Sequence, residues 1–192
     1  MRIIEQTEFN LNRGAVYKEI KKGAVFIHPT DTIYGIGCDA TNNEAVIRVR
    51  EMKGRYTKPF LVMAPSKEWV RKNCDVPKAA EIWLGKWPGS HTLILKLENK
   101  GCIAKEVNSG EATIGIRMPD HWFRQAAMEL DIPIVTTSAN RVGEDFMTSV
   151  DDLDPQIKAK VDFIVYEGEK RGHPSTLMDF TKEKPQIKER RK

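Results

Sequence analysis

Apolar positions along this chain recur at two different periods, and the way the periods alternate predicts an α/β fold. Between residues 8 and 22, Leu11, Ala15, Val16 and Ile20 stand among charges at near-helical spacing, and Gly23 follows as a helix stop. Residues 24–28 form a short β-prone run that ends at Pro29, where the polar string Thr30, Asp31, Thr32 begins. Residues 43–52 predict a helix with Ala45, Val46, Val49 and Met52 on one face. A turn from Lys53 to Pro59 then leads into a strand at 60–64. The same trade continues through a helix at 78–86, the break Trp87, Pro88, Gly89, and strands at 92–97 and 113–117. A helix at 122–130 and strands at 134–137, 163–166 and 176–180 complete the pattern. Helices alternating with strands of this kind imply one sheet of mixed strand order flanked by helices.

No repeat and no Gly/Ser linker divides the 192 residues, so a single domain over 1–192 is expected. No run approaches the roughly 18 apolar residues a membrane span requires, and the first residues lack a signal-peptide core. Both features point to a cytoplasmic protein without a membrane partner. Cys38, Cys74 and Cys102 are odd in number and lack CxxC spacing, which fits reduced structural thiols. The formal charge of +4 is concentrated in the segment 182–192, where Lys182, Lys184, Lys188, Arg190, Arg191 and Lys192 outnumber Glu183 and Glu189. A basic tail of this kind fits either a phosphate-bearing partner or a solvated terminus.

Several chemistries have no support in the sequence. His28, His91, His121 and His173 are scattered without HExxH spacing, no GxSxG elbow surrounds a serine, and the Walker pattern GxxxxGK[ST] is absent. Gly35, Ile36, Gly37 lacks the third glycine of a dinucleotide fingerprint. What remains is a set of strand ends rich in cations, hydroxyls and amides. Lys53 and Arg55, with Lys58 close behind, crowd cations onto one turn beside Gly54, an arrangement suited to a polyphosphate. Ser138, Ala139, Asn140 leave a predicted strand with a hydroxyl and an amide, fit either for phosphate oxygens or for an ordinary turn cap.

Taken in order, six segments resemble the threonylcarbamoyl-AMP synthase family of the YrdC/TsaC type. They are Pro29–Gly37 (PTDTIYGIG), Lys53-Gly54-Arg55 with Lys58-Pro59, Trp87-Pro88-Gly89, Thr113–Pro119 (TIGIRMP), Thr137-Ser138-Ala139-Asn140 and Pro174-Ser175-Thr176. The match runs from about residue 20 to 181. It implies a YrdC-like twisted mixed sheet with a concave basic substrate cleft, in the short form without an appended second domain. The implied reaction joins L-threonine, bicarbonate and ATP, with Mg²⁺ carried by ATP, into threonylcarbamoyl-AMP and pyrophosphate. A tRNA threonylcarbamoyl transferase complex would use the product to modify adenosine 37.

By resemblance, Thr32, Arg117, Thr136 and Ser175 would hold threonine, and Arg55, Lys58, Thr113, Ser138, Asn140 and Arg190 would hold ATP. Lys53 and Arg55 would supply the catalytic cations. The chain departs from many relatives at Met63, where they carry histidine, and over Val142–Met147, where Phe146 offers an aromatic face to adenine. Two other readings stand beside this one: an RNA-binding module on the same fold, and a paralogue with an altered substrate.

Overall fold

The computed structural model describes residues 2–189. Its sheet has eleven strands, β1 (Arg2–Glu5), β2 (Phe26–His28), β3 (Gly35–Gly37), β4 (Leu61–Met63), β5 (Cys74–Asp75), β6 (His91–Leu97), β7 (Thr113–Arg117), β8 (Ile134–Ser138), β9 (Phe163–Tyr166), β10 (Thr176–Asp179) and β11 (Gln186–Lys188). The spatial order is β1-β9-β2-β3-β8-β4-β7-β6-β10-β11, with β5 attached to β6. Pairings of both senses occur: β4 runs parallel to β7, whereas β8 is antiparallel to both β3 and β4. The mixed sheet expected from the alternating periods is therefore the one observed.

Eight α-helices accompany the sheet among the described residues, α1 (Gln6–Leu11), α2 (Arg13–Lys21), α3 (Asn43–Lys53), α4 (Lys67–Asn73), α5 (Lys78–Gly85), α6 (Lys105–Asn108), α7 (Gln125–Leu130) and α8 (Pro155–Lys158), with short 3-10 helices at Lys100–Cys102 and Trp122–Arg124. The helix predicted over 8–22 is two helices broken at Asn12, whose side-chain amide bonds back to the Glu8 carbonyl. α3 starts where Asn42 accepts the Ala45 amide at 3.0 Å and stops at Gly54, whose φ of 62° is left-handed. That stop throws the chain out of the helix directly into the cationic turn.

Strand alternation divides the interior. On β4, Val62 points into one cluster with Val46, Val49 and Met52 of α3, while Met63 joins a second cluster with Phe9, Phe26, Phe123 and Ile134. β8 repeats the scheme, with Val135 in the first cluster and Ile134 in the second. Farther along that second face Leu61, Thr136 and Gly115 no longer meet a helix, and they floor a cleft instead. The site is thus the uncovered end of a sheet face whose other end is apolar core.

Candidate functional site

The cleft is a cavity of about 430 Å³ over β3, β8, β4, β7, β6 and β10. Its floor is low because two of the strands present glycine there. A Cβ on Gly115 would lie 2.4 Å from Leu61 Cδ2, and one on Gly35 would lie 3.2 Å from Thr136 Oγ1. Over one end runs a strap, residues 167–175, rooted on Tyr34: its hydroxyl accepts the Glu167 amide (3.1 Å) and donates to the Gly168 carbonyl (2.6 Å). The strap presses so closely on the Thr30–Thr32 loop that a Cβ at Gly172 would meet the Thr32 carbonyl oxygen at 2.0 Å.

Beneath the strap lies a polar end. Thr30 Oγ1 accepts the amides of Thr32 and Ile33 at 3.1 and 3.2 Å and donates to the Ile33 carbonyl at 2.7 Å, which fixes the loop after β2. The Arg117 guanidinium, 4% exposed at the end of β7, donates through Nη1 to Thr32 Oγ1 (3.2 Å) and through Nη2 to the Asp31 carboxylate. Asp31 spends its other oxygen on the Asp120 amide at 3.1 Å. Burial lowers the Arg117 pKa, and Asp31, the carboxylate that faces it, partly offsets that shift. The Arg117 Nε is buried and has no hydrogen-bond partner among the described residues. Thr136 lines the same cavity from β8, and Ser175 Oγ lies 2.8 Å from Thr92 Oγ1.

Four residues from Arg117 along β7, about 13 Å at the usual rise, Thr113 marks the other end. Arg55, Phe60, Glu111, Ser138, Phe146 and Asp179 complete it. Arg55 donates to its own turn, through Nη2 to the Pro59 carbonyl (2.5 Å) and through Nε to the Lys58 carbonyl (3.3 Å), with its guanidinium carbon 5.3 Å from the Phe60 ring centre. Burial and the neighbouring Arg50 both lower its pKa.

Of the residues singled out in the sequence, Thr32, Arg55, Thr113, Arg117, Thr136, Ser138, Ser175 and Phe146 all line this one cavity. Lys53 and Asn140 stand behind the lining. Lys53 is 2% exposed, and its ammonium donates to the carbonyls of Ser138 and Asn140 at 2.5 Å each and to Asn140 Oδ1 at 3.2 Å. Asn140 Oδ1 also accepts the Ser138 hydroxyl at 2.5 Å, so lysine and amide together aim that hydroxyl. Burial, and then the charge of Arg55, push the Lys53 pKa down to about 7.

Lys58 is exposed and contributes its carbonyl rather than its ammonium to the turn. Met63 is fully buried in the apolar cluster rather than in the cleft. The 142–147 loop is tied to the Lys53 turn and the Ser-Ala-Asn turn by Val142 N to Lys53 O, Met147 N to Ala139 O, and Asn140 Nδ2 to Glu144 O. Arg190 lies outside the described residues. Sequence reasoning missed Glu111 and Asp179 as parts of the cleft, Asp31 as the partner of Arg117 and Gly172 as the strap's contact. A signal for Asp31 existed: a lone arginine in the apolar string TIGIR, if buried, must be met by acceptors, and the polar string Thr30, Asp31, Thr32 offers one of opposite charge.

The described residues contain no group of three or more His, Cys, Asp or Glu able to hold a metal ion, and no helix long and apolar enough to cross a membrane. The charged lining residues are Arg55, Arg117, Glu111 and Asp179.

Comparison with known proteins gives the arrangement its context. A protein of Methanocaldococcus jannaschii, provisionally named a threonylcarbamoyl-AMP synthase, is 36% identical over 173 residues, which cover 87% of this chain and 79% of that one. The threonylcarbamoyl-AMP synthase of Pyrococcus abyssi is 32% identical over 86% of this chain, but this chain spans only 50% of its length. The solved structure of Pyrococcus abyssi Sua5 complexed with L-threonine superposes with a TM-score of 0.86 at 29% identity, over 97% of this chain and 56% of that one. Escherichia coli YciO shares the fold, with a TM-score of 0.82 at 24% identity over 98% of this chain and 93% of that one. Residues 18–190 match the family model described as "Telomere recombination", and the chain accordingly belongs to the Sua5/YciO/YrdC family.

Proposed function

We propose that this protein condenses L-threonine, bicarbonate and ATP into threonylcarbamoyl-AMP, releasing pyrophosphate and water. The observation that carries the reading is the single cavity in which a buried, hydroxyl-flanked arginine faces one end and a second arginine with two hydroxyls faces the other. A cavity of this size accommodates a small metabolite joined to a nucleotide. Its relatives named for this activity, and the threonine held by the Pyrococcus structure, support it.

At the strap end, Arg117 receives the amino-acid carboxylate through Nε, the one guanidinium nitrogen that has no hydrogen-bond partner among the described residues. Thr32, Thr136 and Ser175 surround the amine and side chain of the substrate. The threonine amine adds to bicarbonate, water departs, and the resulting carbamate oxygen attacks the α-phosphorus of ATP as pyrophosphate leaves. No protein nucleophile is needed, because the barrier falls through alignment and neutralisation of phosphate charge. Arg55 supplies positive charge, Ser138 and Thr113 supply hydroxyls, and Lys53 holds Ser138 in place. Mg²⁺ would enter bound to ATP, where it neutralises phosphate charge; Glu111 and Asp179 are the lining carboxylates that suit a water-mediated contact with it. In this reading the protein works in the cytoplasm, and a tRNA threonylcarbamoyl transferase consumes its product.

The test is pyrophosphate release from purified protein given ATP, Mg²⁺, bicarbonate and L-threonine. Release should require all four, and a folded protein that releases none would overturn the reading.

A further inference from the structure

The cationic turn is not self-supporting, and the residue that supports it lies outside the cleft. Arg50 sits in the last turn of α3, 3% exposed, beneath Lys53-Gly54-Arg55. Its guanidinium has five N–H donors, and the structure gives it five acceptors. Nε donates to the Glu106 carbonyl at 2.7 Å, Nη1 to the carbonyls of Arg55 (2.8 Å) and Lys58 (3.3 Å), and Nη2 to Ser109 Oγ (2.9 Å) and the Val107 carbonyl (3.4 Å). Ser109 Oγ passes its own proton to the Thr57 carbonyl at 3.0 Å. Three carbonyls of the turn, at 55, 57 and 58, are thus gathered by one buried cation and its serine relay.

The same group shares an aromatic face with Arg55. The Arg50 and Arg55 guanidinium carbons lie 4.6 and 5.3 Å from the Phe60 ring centre. Its ion pair with Glu106 is long, 4.0 Å, so carbonyl dipoles rather than a close carboxylate hold most of its charge. A second cation behind Arg55, only loosely paired with Glu106, adds to the positive potential at that end of the cleft.

We infer that Arg50 is a positioning residue for anion binding: it fixes the turn so that Arg55 stands at the cleft rim before any phosphate arrives. This rests on the assignment of that end to the phosphates of a nucleotide. An unanchored turn would have to be ordered by the ligand, and that ordering would be lost from the affinity. The loss would fall on the phosphate-bearing ligand and spare threonine, which binds under the strap on other elements.

The experiment is calorimetric titration of wild type, Arg50→Lys and Ser109→Ala with Mg²⁺-pyrophosphate and, separately, with L-threonine. Lysine keeps the charge but cannot reach all five acceptors, so Arg50→Lys should weaken pyrophosphate binding about tenfold or more and leave threonine binding within twofold. Ser109→Ala removes one relay from an exposed position and should weaken pyrophosphate binding about threefold. Pyrophosphate affinity equal to wild type in both variants, equal losses of both ligands, or no pyrophosphate binding by the wild type would each overturn the inference. Pyrophosphate binding does not require turnover. A protein that binds it in an Arg50-dependent way yet fails the four-substrate assay would refute the synthase reading alone.

Discussion

Replacing Asp31 with asparagine tests how the cleft keeps a charged arginine in its floor. The two side chains have nearly the same shape, so no cavity is created and the change is purely electrostatic. Asp31 uses one oxygen on Arg117 Nη2 and the other on the Asp120 amide. Asparagine has one acceptor oxygen and one NH₂, so one of those two donors must face another donor. Removing one partner of a buried ion pair costs about 3–5 kcal/mol. Arg117 and Asp31 have side-chain exposures of 5% and 11%, which places this pair at the lower end, about 3 kcal/mol. For a chain of this length that corresponds to a fall in Tm of about 6–12 °C. Urea unfolding and a thermal melt at pH 7.5 measure it.

Added L-threonine should restore part of the loss, because its carboxylate replaces the missing counter-charge, and the Tm rise at saturation should be larger in the variant than in wild type. An Asp31→Asn protein that unfolds within about 0.5 kcal/mol of wild type would refute the argument that this pair holds Arg117.

Arg55→Ala should lower kcat/KM for ATP about thirtyfold, equivalent to about 2 kcal/mol of transition-state stabilisation, in the pyrophosphate-release assay; an unchanged value removes Arg55 from the site. Lys53 makes a pH-dependent contribution whose sign is fixed. With its pKa near 7 in the folded state, the unfolded chain binds one more proton between pH 7 and about 10.4. Wild-type stability relative to Lys53→Met should therefore be flat below pH 7 and climb above it, and parallel urea midpoints at pH 6, 8 and 9.5 would contradict this. Gly172→Ala places a methyl 2.0 Å from the Thr32 carbonyl oxygen, a clash no rotamer relieves. The strap should lift at a cost of about 1–3 kcal/mol, and calorimetry should show a larger loss of threonine affinity than of pyrophosphate affinity.

The sequence made the long elements legible because their apolar faces carry the period. α3 was expected at 43–52 and ends one residue later, and β7 has the predicted bounds. Short elements whose identity depends on distant partners escaped. β3 is Gly35-Ile36-Gly37, with no alternation to read, and its glycines exist because Phe26 and His28 lie across them: a Cβ at Gly37 would be 2.8 Å from the Phe26 ring. β1 pairs only with β9, more than 150 residues away, and β11 is exposed along its length. Within the cleft, motif order located the lining hydroxyls and arginines. It did not reveal that Lys53 faces backwards to the Ser138 and Asn140 carbonyls, because a lysine's direction depends on which carbonyls the fold leaves within its reach.

Strand order also governs when this cleft can come into being. β8 lies between β3 and β4, and β10, which supplies a wall, pairs with β6 some 80 residues earlier in the chain. A ribosome-bound chain that has emerged only as far as β7 therefore has β3 and β4 without the strand that joins them, and no site at all. Long-range pairings of this kind slow folding and leave sheet edges open to other chains until they close. Neither threonine nor nucleotide can guide the early steps, since each end of the cleft joins residues far apart in the chain, Thr32 with Ser175 at one and Arg55 with Asp179 at the other. A ligand can act as a folding aid only after β10 has been made, and C-terminal truncations that remove β10 should abolish binding of both ligands together.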